Sequence, residues 1–229
     1  MFRYFVPAIA AVFLSTAITT SGFAASITTL FNTGTNALNA LGGVANNAAE
    51  QHYVLVSVPF GETTSVRVAT AANGFPVAPG GPWIGAGGTS NWIGPNTSSE
   101  LTGAVGIYVY RLSFSMAGLN PATASISGIW STDNLGSDIR INGASTGGTA
   151  GDFTAYSAFS VTSGFVAGLN TIDFVVNNLG GPTGLRVEMT GIASLVDTGP
   201  RPVPEPASLL LLGSALAALS GMRRRRDHA

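Results

Sequence analysis

The sequence predicts an all-β antiparallel sandwich or barrel between two apolar tails. Three observations carry that prediction. Eight short stretches rich in β-branched and aromatic residues recur through the central region, each closed by Gly, Asn, Pro or Ser. No long segment with a 3.6-residue apolar period competes with them. Only 9% of the 229 residues are charged, against about 25% in an ordinary soluble domain. Polar strand faces must therefore be covered by Ser, Thr and Asn.

The elements follow in chain order. His52–Val58 reads HYVLVSV, and Ser65–Ala69 alternates strictly as SVRVA. Gly106–Met116 places Ile107, Val109, Arg111 and Ser113 on one face and Tyr108, Tyr110, Leu112 and Phe114 on the other. Ala124–Ser131, Asp138–Asn142, Ala158–Thr162, Thr171–Asn177 and Gly184–Ala193 complete the set. The Asn/Gly/Ala-rich stretch 31–50 holds one expected short helix around Ala37–Leu41.

Charge and composition exclude several function classes. All ten basic residues are arginine, and the formal net charge is -1. Taken alone, Ala25–Pro202 has five arginines against nine acids, a net charge of -4. Such a domain is not expected to seek nucleic acid or an anionic membrane. Cysteine is absent, so there is no disulfide framework, thiol nucleophile or zinc-thiolate site. His52 and His228 are the two histidines, too few for most histidine-based catalysis. The lack of lysine, a common edge protector, predicts an aggregation-prone sheet edge.

The tails read as addresses. Arg3, an apolar stretch from Phe5 to Ile18 and the small-residue exit Gly22-Phe23-Ala24 describe a secretory signal, cleaved after Ala24. An uncut N-terminal anchor is the alternative. At the other end, Pro204-Glu205-Pro206 precedes the uncharged apolar segment Leu209–Met222 and then Arg223, Arg224, Arg225 and Arg226. The arginines hold that end on the cytoplasmic side, and Gly199–Val203 is a Pro-rich spacer. A permanent tail anchor is again the alternative.

These three C-terminal parts, in this order, resemble the PEP-CTERM sorting signal over about Val203–Arg226. The resemblance implies a Gram-negative source that makes extracellular polysaccharide. It implies recognition by an exosortase, transient insertion of the C-terminal transmembrane helix, its removal, and release to the cell surface or matrix. Pro204, Glu205 and Pro206 become the recognised motif and Arg223–Arg226 the membrane stop. The expected organisation is a signal peptide over 1–24, a β-sandwich over 25–198, a linker over 199–203 and the sorting signal over 204–226. The secretion machinery is the implied export partner.

The central domain has its own pattern. Trp130-Ser131-Thr132-Asp133-Asn134 forms a strand-to-turn step, and Ile139-Arg140-Ile141-Asn142-Gly143 follows. Then come Gly168-Leu169-Asn170-Thr171-Ile172-Asp173-Phe174 and Gly181-Pro182-Thr183-Gly184-Leu185-Arg186-Val187-Glu188. This order resembles the galactose-binding-like jelly roll over about Val105–Ala193, a fold underlying many carbohydrate-binding modules. The expected fold is thus an antiparallel jelly-roll-like β-sandwich, flanked by an N-terminal signal helix and a C-terminal hydrophobic helix.

Five residues are candidate ligand contacts. Trp83 and Trp92 sit among Gly, Pro, Ser and Asn, as loop aromatics that stack on sugar rings or cap the open end of the core. Asp133, Asn134 and Asp138 lie around one turn. They are oxygen donors of the kind Ca²⁺ takes, or acceptors for sugar hydroxyls, or turn residues bonding their own backbone. No cofactor is called for beyond that Ca²⁺ option. Trp130 is expected in the core, and Arg140, Arg186 and Glu188 on a solvated sheet face. No G-x-S-x-G elbow or phosphate-binding Gly-rich loop is present. The expectation is an exported, non-enzymatic protein of the surface or matrix that contacts exopolysaccharide. The alternatives are a self-associating matrix protein and a polysaccharide hydrolase acting through a pair such as Asp133 and Asp152.

Overall fold

Eleven strands in two antiparallel sheets make up the computed structural model, which describes residues 23–95, 101–197 and 213–214. The expected signal and hydrophobic helices lie outside the described residues, except that Gly213 and Ser214 are helical. Among the described residues no helix is long and apolar enough to cross a membrane.

The first sheet has the order β3-β4-β11-β6-β9, from Arg67–Ala69, Trp92–Gly94, Gly184–Ser194, Ser125–Asp133 and Ser157–Val161. Strand β1 (Ala24–Ser26) pairs with the far end of β11 through Ala24↔Ser194. The second sheet is β2-β5-β10-β7-β8, from Tyr53–Ser57, Gly106–Ser115, Leu169–Asn178, Leu135–Ile141 and Ala144–Ser145. All eight expected strands are present. The three unexpected ones, β1, β4 and β8, have two or three residues each, too short for a period-2 pattern to register.

Alternation decides the core. On β5 Tyr108, Tyr110, Leu112 and Phe114 are buried as the sequence predicts, and Val109 is buried too, from the opposite face. Facing it from the first sheet are Ile126, Trp130, Leu185, Val187 and Met189. Trp130 is wholly buried, its ring 5.5 Å from that of Phe174 on β10.

The long strand β11 is satisfied in three stretches. Residues 192–194 pair with β1, and Leu185 pairs with β4. Between them, side chains replace a strand. Thr33 Oγ1 accepts from Val187 N at 3.0 Å, and Asn32 Oδ1 accepts from Met189 N at 2.9 Å. These groups meet the demand of buried backbone donors for partners.

Two expectations fail here. Ala37–Leu41 is not a helix: Asn36 Oδ1 accepts from Leu38 N and Ala40 N, and Asn39 adopts a positive φ of 55°. An Asn side chain that bonds the backbone two residues on favours the turn over the helix. The undefended edge is also only partly seen. Edge strand β2 exposes Val54 and Val56, yet the edges are short, and β2 carries a register shift between Leu55 and Ser57. Shortness and a bulge are edge protections that need no lysine.

Candidate functional site

The chain between β3 and β4 leaves the sheet edge and folds back over the outer face of the first sheet. There it builds a second, smaller core of Ala69, Val77, Trp83, Trp92 and Leu101. Trp92 and Trp83 meet with ring centroids 4.2 Å apart. Trp92 Nε1 donates to Ile84 O at 2.8 Å, and Trp83 Nε1 donates to Asp133 Oδ2 at 2.7 Å. Gly184 lies beneath this pair: a Cβ there would sit 2.7 Å from the Trp83 ring.

Trp83 lies on a loop as expected, but these contacts correct the expectation that either ring is available for stacking. Trp83 and Trp92 are 3% and 0% exposed, so neither offers a ring face to solvent. Trp92 is moreover a strand residue, opposite Ala69. Their indole N–H groups find partners inside, which lets both rings be buried among apolar side chains. Neither ring faces solvent, and instead of capping the open end of the main core they build a separate small core on the outer face of the first sheet.

The Asp/Asn cluster is not one site. Asp133 ends β6 and is 3% exposed; its Oδ1 is buried with no hydrogen-bond partner. Burial, against the pull of the Trp83 hydrogen bond and with help from the charge of Asp152, pushes its carboxyl up to about 6. Asn134 turns away, its Oδ1 accepting from Leu179 N at 2.6 Å. Asp138 is on β7, in the other sheet, where it accepts from Arg140 Nε at 2.9 Å and Ser145 Oγ at 2.8 Å. The D-N-x-G-x-D spacing thus spreads over a turn and two sheets. Among the described residues no three His, Cys, Asp or Glu side chains gather as a metal would need. Asp152 is exposed, and hydrogen bonds from the Thr154 hydroxyl and amide hold its carboxyl below the usual range.

The residues that do converge are Arg186, Glu188, Ser90 and Tyr156. Arg186 is not solvated as expected: it is 3% exposed. Its Nε donates to Ser90 Oγ at 2.8 Å, and its terminal nitrogens donate to the carbonyls of Gly85 and Gly87. Its guanidinium lies 5.2 Å from the Tyr156 ring centroid. Period-2 reading put Arg186 outside the main core, correctly. It missed that the 84–90 loop covers that face, because loop placement leaves no periodic signal.

Glu188, one step along β11, accepts from Ser90 Oγ at 2.8 Å and Tyr156 Oη at 3.1 Å. Burial works to raise its pKa, but the hydroxyls of Thr89, Ser90 and Tyr156, with Arg186, outweigh it and keep the group ionised. Its carboxylate borders an open groove of about 520 Å³ across β11, β6 and β9. Asn32, Thr89, Ser127, Ile129 and Thr190 line it too. An ionised acceptor, an amide and three hydroxyls around an apolar floor can hold a neutral polyhydroxylated chain.

His52 has a structural place. Its ring stacks on Phe31 at 3.8 Å, and Nε2 lies 2.9 Å from Asn36 O.

The PEP-CTERM protein-sorting motif matches residues 202–226, starting two residues ahead of the expected boundary at Pro204. The chain carries this motif, which marks exported proteins sorted to the cell envelope and surface. No curated protein matches the chain. Among solved structures, the CBM35 from Paenibacillus barcinonensis is similar at 15% identity, over 63% of this chain and 98% of that one, with a TM-score of 0.33. The CBM36-1 domain of a multidomain xylanase from the hindgut metagenome of Trinervitermes trinervoides matches at 17% identity, over 39% and 73%, with a TM-score of 0.28. The Podospora anserina GH26-CBM35 beta-(1,4)-mannanase matches at 20%, over 66% of this chain and 29% of that chain, with a TM-score of 0.32.

Proposed function

We propose that this chain is an exosortase substrate whose sandwich, released at the cell surface or in the matrix, contacts extracellular polysaccharide and catalyses nothing. The sandwich is of jelly-roll type, cut from a signal peptide after Ala24 and from the tail near Pro204-Glu205-Pro206. The sorting motif at 202–226 supports the route. The groove beside Glu188, ringed by hydroxyls and one amide, supports the contact. It is the observation that carries the polysaccharide reading.

Trp83, Trp92 and Asp133 then serve as the buried layer beneath the 84–90 loop, not as the contact surface. Burial of Asp133 against Trp83, with Asp152 on the surface, supports the non-catalytic reading over a hydrolase acting through that pair.

Calorimetric titration of the purified chain with the host's own extracellular polysaccharide tests this. Saturable binding is expected, with affinity lost at least tenfold in Ala158→Trp and Thr190→Trp. Both positions are exposed and line the groove, so the added rings fill it without entering the core. Unchanged affinity in both variants would remove the groove from the function.

A further inference from the structure

The two ends of the sandwich differ. At one end the chain enters through Phe23 and Ala24 and leaves through Ser194–Val196. Ala24 pairs with Ser194, and Leu195 N donates to Phe23 O at 3.2 Å. Both addressing segments therefore depart from one place. The loops between β5 and β6, β7 and β8, and β9 and β10 gather at the same end.

That end carries little charge, with the carboxylate of Asp197, next to Val196, at its border. Residues 23–30, 115–124, 141–149, 161–170 and 189–196 contain no Asp, Glu, Lys, Arg or His. They expose instead Phe23, Val166, Leu169, Ile192, Leu195 and Val196. The set is knitted by the backbone: Val196 N donates to Gly118 O at 2.9 Å, and Met116 N donates to Gly168 O at 2.7 Å. Exposed apolar residues alone would not distinguish it, since the opposite end exposes Phe60, Val105 and Leu179. The opposite end, however, also carries Glu62, Asp133 and Asp152, and neither tail leaves from it.

Chain length limits how far the end that bears both tails can stand from a membrane that holds either apolar segment. Only residues 19–22 separate Phe23 from the apolar stretch ending at Ile18, a reach of about 14 Å fully extended. On the other side, residues 197–208 precede Leu209 and reach about 40 Å at most. We propose that this apolar end rests on the phospholipid interface while the chain is tethered, and comes away when the sorting tail is cut. The inference rests on the export-and-anchoring reading above, and adds to it a lipid-contacting face on the sandwich itself. Signal cleavage after Ala24 removes Phe23 and leaves the other five side chains in place. Each apolar side chain entering the interface adds a favourable transfer contribution, while the new amino group of Ala25 and the carboxylate of Asp197 stay at headgroup level.

The test uses the full chain, which has no cysteine of its own. Leu169→Cys and Phe60→Cys variants are labelled with an environment-sensitive dye. Each is inserted into phosphatidylethanolamine–phosphatidylglycerol vesicles carrying a quencher at headgroup depth. Both sites are exposed, so the labels leave the core intact. The expected result is a blue-shifted emission at position 169, quenched at least twofold more than at position 60. Water-like emission at 169, with quenching no greater than at 60, would overturn the proposal. A blue shift at 169 without lipid quenching, growing with protein density, would replace the lipid by a second copy of the chain. A chain that fails to float with the vesicles would overturn the anchoring reading, and this one with it.

Discussion

At neutral pH Asp133 is an ionised carboxylate with one oxygen on Trp83 and the other buried without a partner. Its carboxyl is pushed from an ordinary value of 3.8 up to about 6 in the folded chain, chiefly by burial. The folded state therefore binds this proton more tightly than the unfolded state does. The associated stability is fully present below pH 3.8 and is lost as pH rises to about 6. The gap corresponds to about 3 kcal/mol. Asp133→Asn removes the titration while keeping an acceptor for Trp83. Urea unfolding of the two proteins at intervals from about pH 3.5 to about pH 7.5 isolates the effect, because every other group titrates in both. The variant should gain on the wild type by about 3 kcal/mol between the ends of that range. A difference that stays flat with pH would refute a strained, buried carboxylate at this position.

Three further outcomes follow from the packing. Gly184→Ala puts a methyl 2.7 Å from the Trp83 ring and should cost about 1–3 kcal/mol by overpacking, read as a lowered melting temperature. Arg186→Ala strips the 84–90 loop of its guanidinium partners and leaves Glu188 without its cation; a loss of about 3–5 kcal/mol should appear with protease cleavage inside that loop. Trp130→Ala empties the contact with Phe174 between the sheets and should cost about 3–5 kcal/mol, measured by denaturant unfolding.

Strands were legible wherever the chain ran five residues or more with one face in the core. Gly106–Ser115 could be divided into its two faces because the core set alternates, although Val109 on the other face is buried as well. Trp92–Gly94 could not be found that way. Its three residues are a strand through pairing with Arg67–Ala69 and Leu185, which are remote in sequence. The candidate site was hidden for the same reason. Trp83 and Trp92 lie amid Gly, Pro, Ser and Asn, so the sequence marks them as loop residues. Only the fold-back over β11 shows that Trp83 covers Gly184 and reaches Asp133, with Trp92 packed against it. Arg186 and Glu188 were placed on the outer face by alternation, yet nothing local announced that Ser90 and Tyr156 would enclose them. The sorting tail was the reverse case. Its motif, apolar run and arginine cluster are contiguous, so the order of residues is itself the signal.

The central claim, export followed by release to the polysaccharide, is tested most directly by fractionating the native host. Cells carrying the wild-type chain are compared with cells carrying Glu205→Ala. The account predicts a shortened wild-type protein that sediments with extracellular polysaccharide, and a full-length Glu205→Ala chain held in the membrane. Wild-type protein found at full length in the membrane, or Glu205→Ala protein released like the wild type, would contradict it.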